Sequence, residues 1–439
     1  MNSKKLYIET FGCQMNVNDS ERIFALMGDR GYEQTPLMQE ADLVLLNTCS
    51  VRGGAEERVY KRLDNLHVLK RKRKGVVIGV GGCVAQHEGD ALLEKFPYLD
   101  LVFGTHNIHL LPNLVSAAEA GQRCSETSFI DNEQRLDLFP SSTSSQRYSR
   151  FVTVMQGCDN YCSYCIVPYV RGHEISRRSV EILSEIRQMA AEGVREIVLL
   201  GQNVNSYGLN TPDQPSFADL LREVATIDGI ERIRFTTSHP KDMSEDLIAC
   251  YAELPKLCGQ VQLPAQSGSN RILELMNRGY TRELYLDRIR ALKEARPGIV
   301  ITGDMIVGFP GESEEDFQQT LALIEEVRYA DLFSFVYSPR PGTKAADEMK
   351  DDISKELKQD RLERLLLLQK RLTKEINDSF VGTRQTVLVE GVGKRPGQIS
   401  GRADSGKTVN ILGDQSLIGR FVDVTITEAY QNSLVGLLL

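Results

Sequence analysis

Cys158, Cys162 and Cys165 form a CxxxCxxC triplet, a spacing that lets one short loop wrap a metal cluster. The triplet follows an apolar, strand-like run at 151–156 and a single glycine, Gly157. Three thiolates hold three corners of an iron–sulfur cubane but cannot close a four-thiolate site, so a fourth iron stays open to a substrate. That is a catalytic layout. Structural zinc is the alternative, and three closely spaced cysteines with no nearby fourth ligand suit it poorly.

A second set is dispersed. Cys13, Cys49 and Cys83 each close a strand-like run, and they lie 36 and 34 residues apart, about one strand–helix unit each. In a parallel sheet the C-terminal ends of the strands share one edge, so the three thiols are expected to meet there. Buried packing cysteines are the other reading, but those would fall inside the strands. Cys124, Cys250 and Cys258 have no such setting and read as incidental. Nine cysteines in a chain of 439 residues point to metal or redox chemistry rather than disulfides.

The elements that must position these groups make an α/β chain with three expected domains, at 1–122, 144–376 and 379–439. The first alternates strands at 6–13, 42–49 and 76–83 with helices at 20–30 and 54–70, which predicts a parallel sheet with helices on its faces. A polar stretch at 140–146 reads as a linker. The second domain has strands at 151–156, 196–202, 232–238, 260–266, 300–307 and 332–338. Helices at 179–192, 217–225, 282–294 and 314–327 lie between them. Six strand–helix units predict a (βα)6 partial barrel with its site at the C-terminal strand ends. An amphipathic helix at 353–377 closes it. Beyond Gly382 the pattern is all-β, with strands at 385–390, 408–412 and 421–427, like a small five-strand barrel of the kind that binds RNA.

Composition narrows the partners. The formal net charge is −8. Residues 301–360 carry 6 Lys/Arg against 14 Asp/Glu, which accounts for all of it. The remainder includes a basic run at 70–74 and arginines at 147, 150, 171, 177 and 178, so local phosphate contacts are open despite the acidic total. The basic run reads equally well as the solvated end of a helix. No apolar run approaches the roughly 20 residues of a spanning helix. A cytoplasmic protein with no membrane partner is expected.

CxxxCxxC after a strand, in a barrel-like domain, resembles the radical S-adenosylmethionine (SAM) superfamily. The resemblance implies a [4Fe–4S] cluster on Cys158, Cys162 and Cys165, with SAM on the open iron and reductive cleavage to a 5′-deoxyadenosyl radical. It also implies that Tyr164 lies beside the SAM adenine, that Gln202 and Asn203 approach the amino group, and that Gln266, Ser267 and Ser269 face ribose or carboxylate. Ile306, Val307 and Gly308 would border the adenine. The strand-terminal triad, with Asn16, Asp19 and Asn47 near it, is similar to the methylthiotransferase family within that superfamily. That implies a second [4Fe–4S] cluster on Cys13, Cys49 and Cys83 able to carry sulfur, and a C-terminal TRAM domain. The form of the first motif is most like the branch that thiomethylates isopentenyladenosine beside the tRNA anticodon. There SAM is both methyl donor and radical source. An external electron donor, a sulfur source, the tRNA anticodon stem-loop and a monomeric chain complete the expectation. Modification of a ribosomal-protein aspartate, or a non-catalytic zinc and RNA-binding role, are the alternatives. The resemblance assigns no catalytic side chain beyond the cluster ligands.

Overall fold

A computed structural model describes residues 3–50, 55–130, 148–211 and 213–439. The expected linker at 140–146 and Arg147 lie outside these. The chain divides into two compact units. One is Met1–Ser145 with Gln156–Tyr161 and Cys165–Ser176; the other is Gln146–Met155 with Cys162–Tyr164 and Arg177–Leu439.

The first unit holds a six-stranded sheet. Its strands are β1 (Lys4–Thr10), β2 (Tyr32–Gln34), β3 (Leu43–Thr48), β4 (Val77–Gly82), β5 (Leu101–Phe103) and β6 (Cys124–Glu126), in the order β2-β1-β3-β4-β5-β6. Every pairing is parallel. Helices α1 (Gln14–Gly28), α2 (Ala55–Lys72), α3 (Cys83–Glu88), α4 (Asp90–Lys95) and α5 (Leu111–Glu119) connect the strands. β3 and β4 are buried along their whole length. Both faces of the sheet are covered, which is why these strands read as continuous apolar runs rather than alternating ones. One apolar cluster gathers Val44, Leu46, Ile78 and Val80 with Leu63 and Leu66 of α2; another gathers Leu43 and Leu45 with Ile23 and Met27 of α1. The first helix starts at Gln14, earlier than the apolar pattern suggested, and β2, β5 and β6 are too short to give a sequence signal. The same unit carries α6 (Val167–Arg171) and β9 (Ile175–Ser176).

In the second unit β7 (Ser149–Thr153), β10 (Glu196–Leu200) and β11 (Arg232–Phe235) form one parallel sheet in the order β11-β10-β7. β12 (Gln260–Gln262), β13 (Val300–Val307) and β14 (Asp331–Val336) form another, and a bridge between Ile233 and Leu257 links the two. Six parallel strands thus make an open, partial barrel. The strand expected at 151–156 is interrupted: β7 ends at Thr153, and Met155–Gln156 make a separate short strand, β8. Helices α7 (Ser179–Ala191), α8 (Phe217–Ala225), α9 (Glu245–Glu253), α10 (Asn270–Leu275), α11 (Arg282–Ala295) and α12 (Glu314–Val327) fill the crossovers, and α13 (Lys344–Glu348) follows β14. α14 (Lys355–Asp378) is capped by Ser354, whose hydroxyl accepts from the Leu357 amide. One large apolar core runs through the barrel, from Val152 to Leu372.

The C-terminal residues form a closed five-strand barrel of β15 (Arg384–Val392), β16 (Gln398–Ala403), β17 (Thr408–Leu412), β18 (Phe421–Ala429) and β19 (Leu434–Leu438). Closure removes the exposed edges that an open five-strand sheet would leave. No described helix is long and apolar enough to cross a membrane.

Candidate active site

The strand-terminal cysteines lie along the C-terminal edge of the first sheet. Cys49 directly follows β3, Cys83 opens α3 after β4, and Cys13 caps the N-terminus of α1. Gly12 precedes Cys13 with a backbone φ of +117°, and a Cβ there would lie 2.4 Å from the Cys49 Cβ and 2.9 Å from its Sγ. Only glycine lets these two segments approach so closely. The edge is stitched by polar side chains. Asn16 accepts from the Cys13 thiol at 3.5 Å and donates to the Thr48 carbonyl at 2.9 Å. Asn47 donates to the Asn16 carbonyl at 2.8 Å. Thr48 donates to the Gly81 carbonyl at 2.6 Å and accepts from the Val84 amide at 3.2 Å, tying β3 to the start of α3. Burial pushes the Cys83 thiol up; Arg171 opposes this and Cys13 adds to it.

The Cys158 loop enters through Gly157, at φ +82°, where a Cβ would lie 2.0 Å from the His173 carbonyl oxygen. The Cys158 amide donates to the Gly172 carbonyl at 3.2 Å, and Asn160 donates to the Cys158 sulfur at 3.5 Å. Tyr161 has a left-handed backbone, at φ 45°. Cys158 and Cys165 are half-buried, and Cys162 is buried.

In the second unit Arg278 is buried and donates to the Cys162 sulfur at 3.2 Å, to the Tyr164 hydroxyl at 3.5 Å and to the Pro264 carbonyl at 2.9 Å. Nothing local in the sequence marks Arg278, because Cys162 is 116 positions away. Tyr164 and Ile306 pack in one apolar cluster with Phe309, whose ring stands edge-on to Tyr164 at 6.4 Å. Val307 is buried in the barrel core. Gly308 takes φ +69° and donates its amide to Glu312 at 2.8 Å.

Gln266 is also left-handed, at φ 72°, and bridges to β13 through Met305. Asn203 donates to Asp242 at 2.7 Å while its Oδ1 is buried without a hydrogen-bond partner. Thr236 Oγ1, Ser238 Oγ and His239 Nε2, just past β11, are buried and unpartnered in the same way. Gln202, between β10 and Asn203, is half-buried. The hydroxyls of Ser267 and Ser269 have protein partners. Ser267 lies 3.4 Å from Thr320, and Ser269 caps α10 and donates to Asp316 at 2.5 Å. Ser267 also accepts from the Ser269 amide at 3.2 Å, which helps to start α10.

Two arginines expected among the phosphate contacts are withdrawn from solvent. Arg171 pairs with Asp19 and Arg177 with Glu185, each at 2.8 Å and each buried. In the basic run, Lys70 is fixed by the Val76 carbonyl and Asp100, and Arg73 by the Ala41 carbonyl and Asp42.

Among the described residues no three His, Cys, Asp or Glu side chains converge tightly enough for a single metal ion. Thiolates around one zinc lie about 2.3 Å from it, whereas the corners of a cubane stand farther apart. The donors at the sheet edge are all sulfur, with amide and guanidinium donors beside them, and this chemistry fits an iron–sulfur cluster. The unpartnered polar atoms past β10 and β11 fit a polar cofactor such as SAM.

Residues 5–104 match Uncharacterized protein family UPF0004, residues 152–324 the Radical SAM superfamily and residues 378–439 the TRAM domain. Over all 439 residues, and the whole of the relative, the chain is 68% identical to tRNA-2-methylthio-N(6)-dimethylallyladenosine synthase of Pelobacter propionicus. The enzyme of that name from Trichlorobacter lovleyi is 63% identical over 100% of both chains. The chain belongs to the tRNA-2-methylthio-N(6)-dimethylallyladenosine synthase family. It is therefore an enzyme of the radical SAM superfamily, whose cofactors are SAM and [4Fe–4S] clusters. The fold agrees. TsrM from Kitasatospora setae, solved with cobalamin and a [4Fe–4S] cluster, aligns with a TM-score of 0.58 at 16% identity, over 91% of this chain and 81% of that one.

Proposed function

We propose that the chain converts N6-isopentenyladenosine next to the tRNA anticodon into its 2-methylthio derivative. In this reading Cys158, Cys162 and Cys165 hold one [4Fe–4S] cluster, and Cys13, Cys49 and Cys83 hold another. The observation that carries it is the match to the named synthases along the full length of the chain, and the placement of Cys13, Cys49 and Cys83 after neighbouring parallel strands supports it. Bound there, the clusters and SAM would supply the radical, the methyl group and a resting place for sulfur.

The chain's own side chains have separable tasks. Tyr164 and Ile306 offer an apolar face to the adenine of SAM. Gln202, Asn203 and Gln266 offer polar groups at the strand ends, and Val307 and Gly308 shape the backbone beside them. Arg278 places a fixed positive charge beside Cys162. The five-strand barrel binds RNA away from the chemistry, and the target base leaves its stack to reach the barrel mouth. Three domains, at 1–122, 144–376 and 379–439, divide these roles within a monomer that draws electrons and sulfur from external donors.

The test is anaerobic reconstitution followed by SAM, reductant and tRNA bearing isopentenyladenosine. The intact chain should bind about eight irons and form 2-methylthio product. Cys158→Ala should abolish SAM cleavage. Cys49→Ala should keep SAM cleavage and lose sulfur insertion. Normal product from either variant, or modification of a ribosomal protein in place of tRNA, overturns the reading.

A further inference from the structure

Tyr161 and Tyr169 are both exposed, at 40% and 46%, and their rings stand edge to face with centroids 6.2 Å apart. The exposed His173 ring lies 6.3 Å from that of Tyr161. Tyr161 belongs to the loop between Cys158 and Cys162, Tyr169 to α6, and His173 to the turn after α6. The backbone beneath these rings is fixed. Ile166 and Val170, on either side of Tyr169 in the chain, are buried in one cluster with Cys83, and Tyr169 is left in solvent. The Gly172 carbonyl holds the Cys158 amide at 3.2 Å, so the loop and the turn after α6 move as one piece. His173 Nδ1 lies 2.9 Å from an Asp159 carboxylate oxygen and 3.4 Å from the Tyr161 hydroxyl. The other Asp159 oxygen accepts from the Glu174 amide at 3.3 Å.

A single exposed tyrosine is ordinary. Two in contact, with an imidazole beside them, on the segment that carries the clustered cysteines, make a platform for a flat π-system. Tyr161 also takes φ 45°, a left-handed backbone that a bulky residue seldom adopts, and its ring stays exposed. Packing into a core is therefore not what holds an aromatic side chain at this position. Unpaired RNA bases are gripped by stacking on tyrosine and histidine rings. The neighbouring carboxylates of Asp159 and Glu174 repel phosphate, so the face of a base suits this patch and the RNA backbone does not. A target base drawn out of its stack leaves the adjoining base without a partner on one side. We propose that Tyr161 and Tyr169, with His173 beside them, form the stacking platform for an unpaired anticodon-loop base next to the target adenosine. The proposal rests on the tRNA reading above and deepens it by naming the side chains that replace the lost base stacking.

The experiment uses the full chain, reconstituted anaerobically, and reads iron content together with the Kd for an anticodon stem-loop bearing isopentenyladenosine. Two further stem-loops each carry an abasic nucleotide on one side of the target. Tyr161→Ala and Tyr169→Ala should each keep the iron and raise Kd about 5- to 100-fold. Tyr161→Phe and Tyr169→Phe, which keep the ring, should bind as the parent does. One of the two abasic stem-loops should bind the parent more weakly by a similar factor, and the alanine variants should lose little more on it, because the same contact is already gone. A tyrosine with only a structural role gives losses that multiply, since it never touches that base. Should Tyr161→Ala fail to load iron, Tyr169→Ala, which lies outside the cysteine loop, carries the comparison. If the parent does not bind the intact stem-loop, the tRNA reading fails and the proposal with it. If the parent binds and Tyr169→Ala binds equally well, or the alanine and abasic losses multiply at both positions, the proposal alone is overturned.

Discussion

At the scale of single residues, two of the chemistry-bearing cysteines have a buried arginine near them. Arg278 beside Cys162 and Arg171 beside Cys83 are both held above the ordinary guanidinium pKa. In each case burial acts against the charge and neighbouring groups outweigh it: Tyr164, Tyr280 and Cys162 for Arg278, and Asp19, Cys83 and Cys13 for Arg171. His239 behaves in the opposite way. Burial first, then Arg278 and Lys241, hold its imidazole far below the usual value. The folded ring stays neutral at pH values where the unfolded chain's ring takes a proton. Stability is therefore fully present above about pH 6.5 and falls as pH drops below it, by at most about 1.4 kcal/mol per pH unit. His239→Asn, which keeps an acceptor for the Lys241 amide, should flatten the urea midpoint between about pH 6.5 and pH 5. An unchanged slope would place the proton uptake on another group.

At the scale of elements, close approaches decide where the thiols go. Gly157→Ala puts a methyl group 2.0 Å from a backbone oxygen that is itself fixed in the turn after α6. The loop cannot keep its path, and reconstituted protein should lose roughly half its iron while the strand-terminal site still loads. Full iron in this variant would show that the loop has slack. A second joint ties α14 to the turn after β13. Arg361 donates to the Glu312 carboxylate at 2.9 Å, and both side chains are buried. Burial raises the Glu312 carboxyl to about 7, more than the Gly308 amide and Arg361 lower it. Arg361→Met strands that carboxyl and should cost about 3–5 kcal/mol in chemical denaturation. A loss well under 1 kcal/mol would mean that Glu312 is already protonated at neutral pH. The main helices and the six barrel strands were legible from periodicity. The break at Thr153 was not, because an apolar run gives no sign of which neighbour its strand will pair with.

At the scale of the whole molecule, the small C-terminal barrel is joined to the barrel strands of its own unit by buried arginines. Arg234 donates to the Ala403 carbonyl at 2.6 Å, to the Asp404 carbonyl at 3.0 Å and to Glu196 at 3.0 Å. Arg232 donates to the Arg402 carbonyl at 2.8 Å and the Thr386 carbonyl at 2.9 Å. Glu196, Arg232 and Gln260 are the first residues of β10, β11 and β12, so the small barrel docks at the strand starts, opposite the ends that carry Asn203 and Gln266. Arg234→Met should cost about 3–5 kcal/mol by leaving Glu196 and two carbonyls poorly paired. Calorimetry should then resolve a separate early transition for the small barrel. A single transition at the original temperature would show that the joint adds nothing to cooperativity.

The cysteines, the strands that end at them and the three-part order of elements follow from the sequence alone. They depend on local rules: apolar period, turn residues and the short reach of a three-cysteine loop. The tertiary structure alone decided which buried charges face the thiols. Asp19 meets Arg171, and Cys162 meets Arg278, across more than a hundred positions, and no local pattern encodes such a pairing. The burial of Arg171 and Arg177 shows the same limit, since an arginine in the sequence looks alike whether it meets phosphate, carboxylate or sulfur.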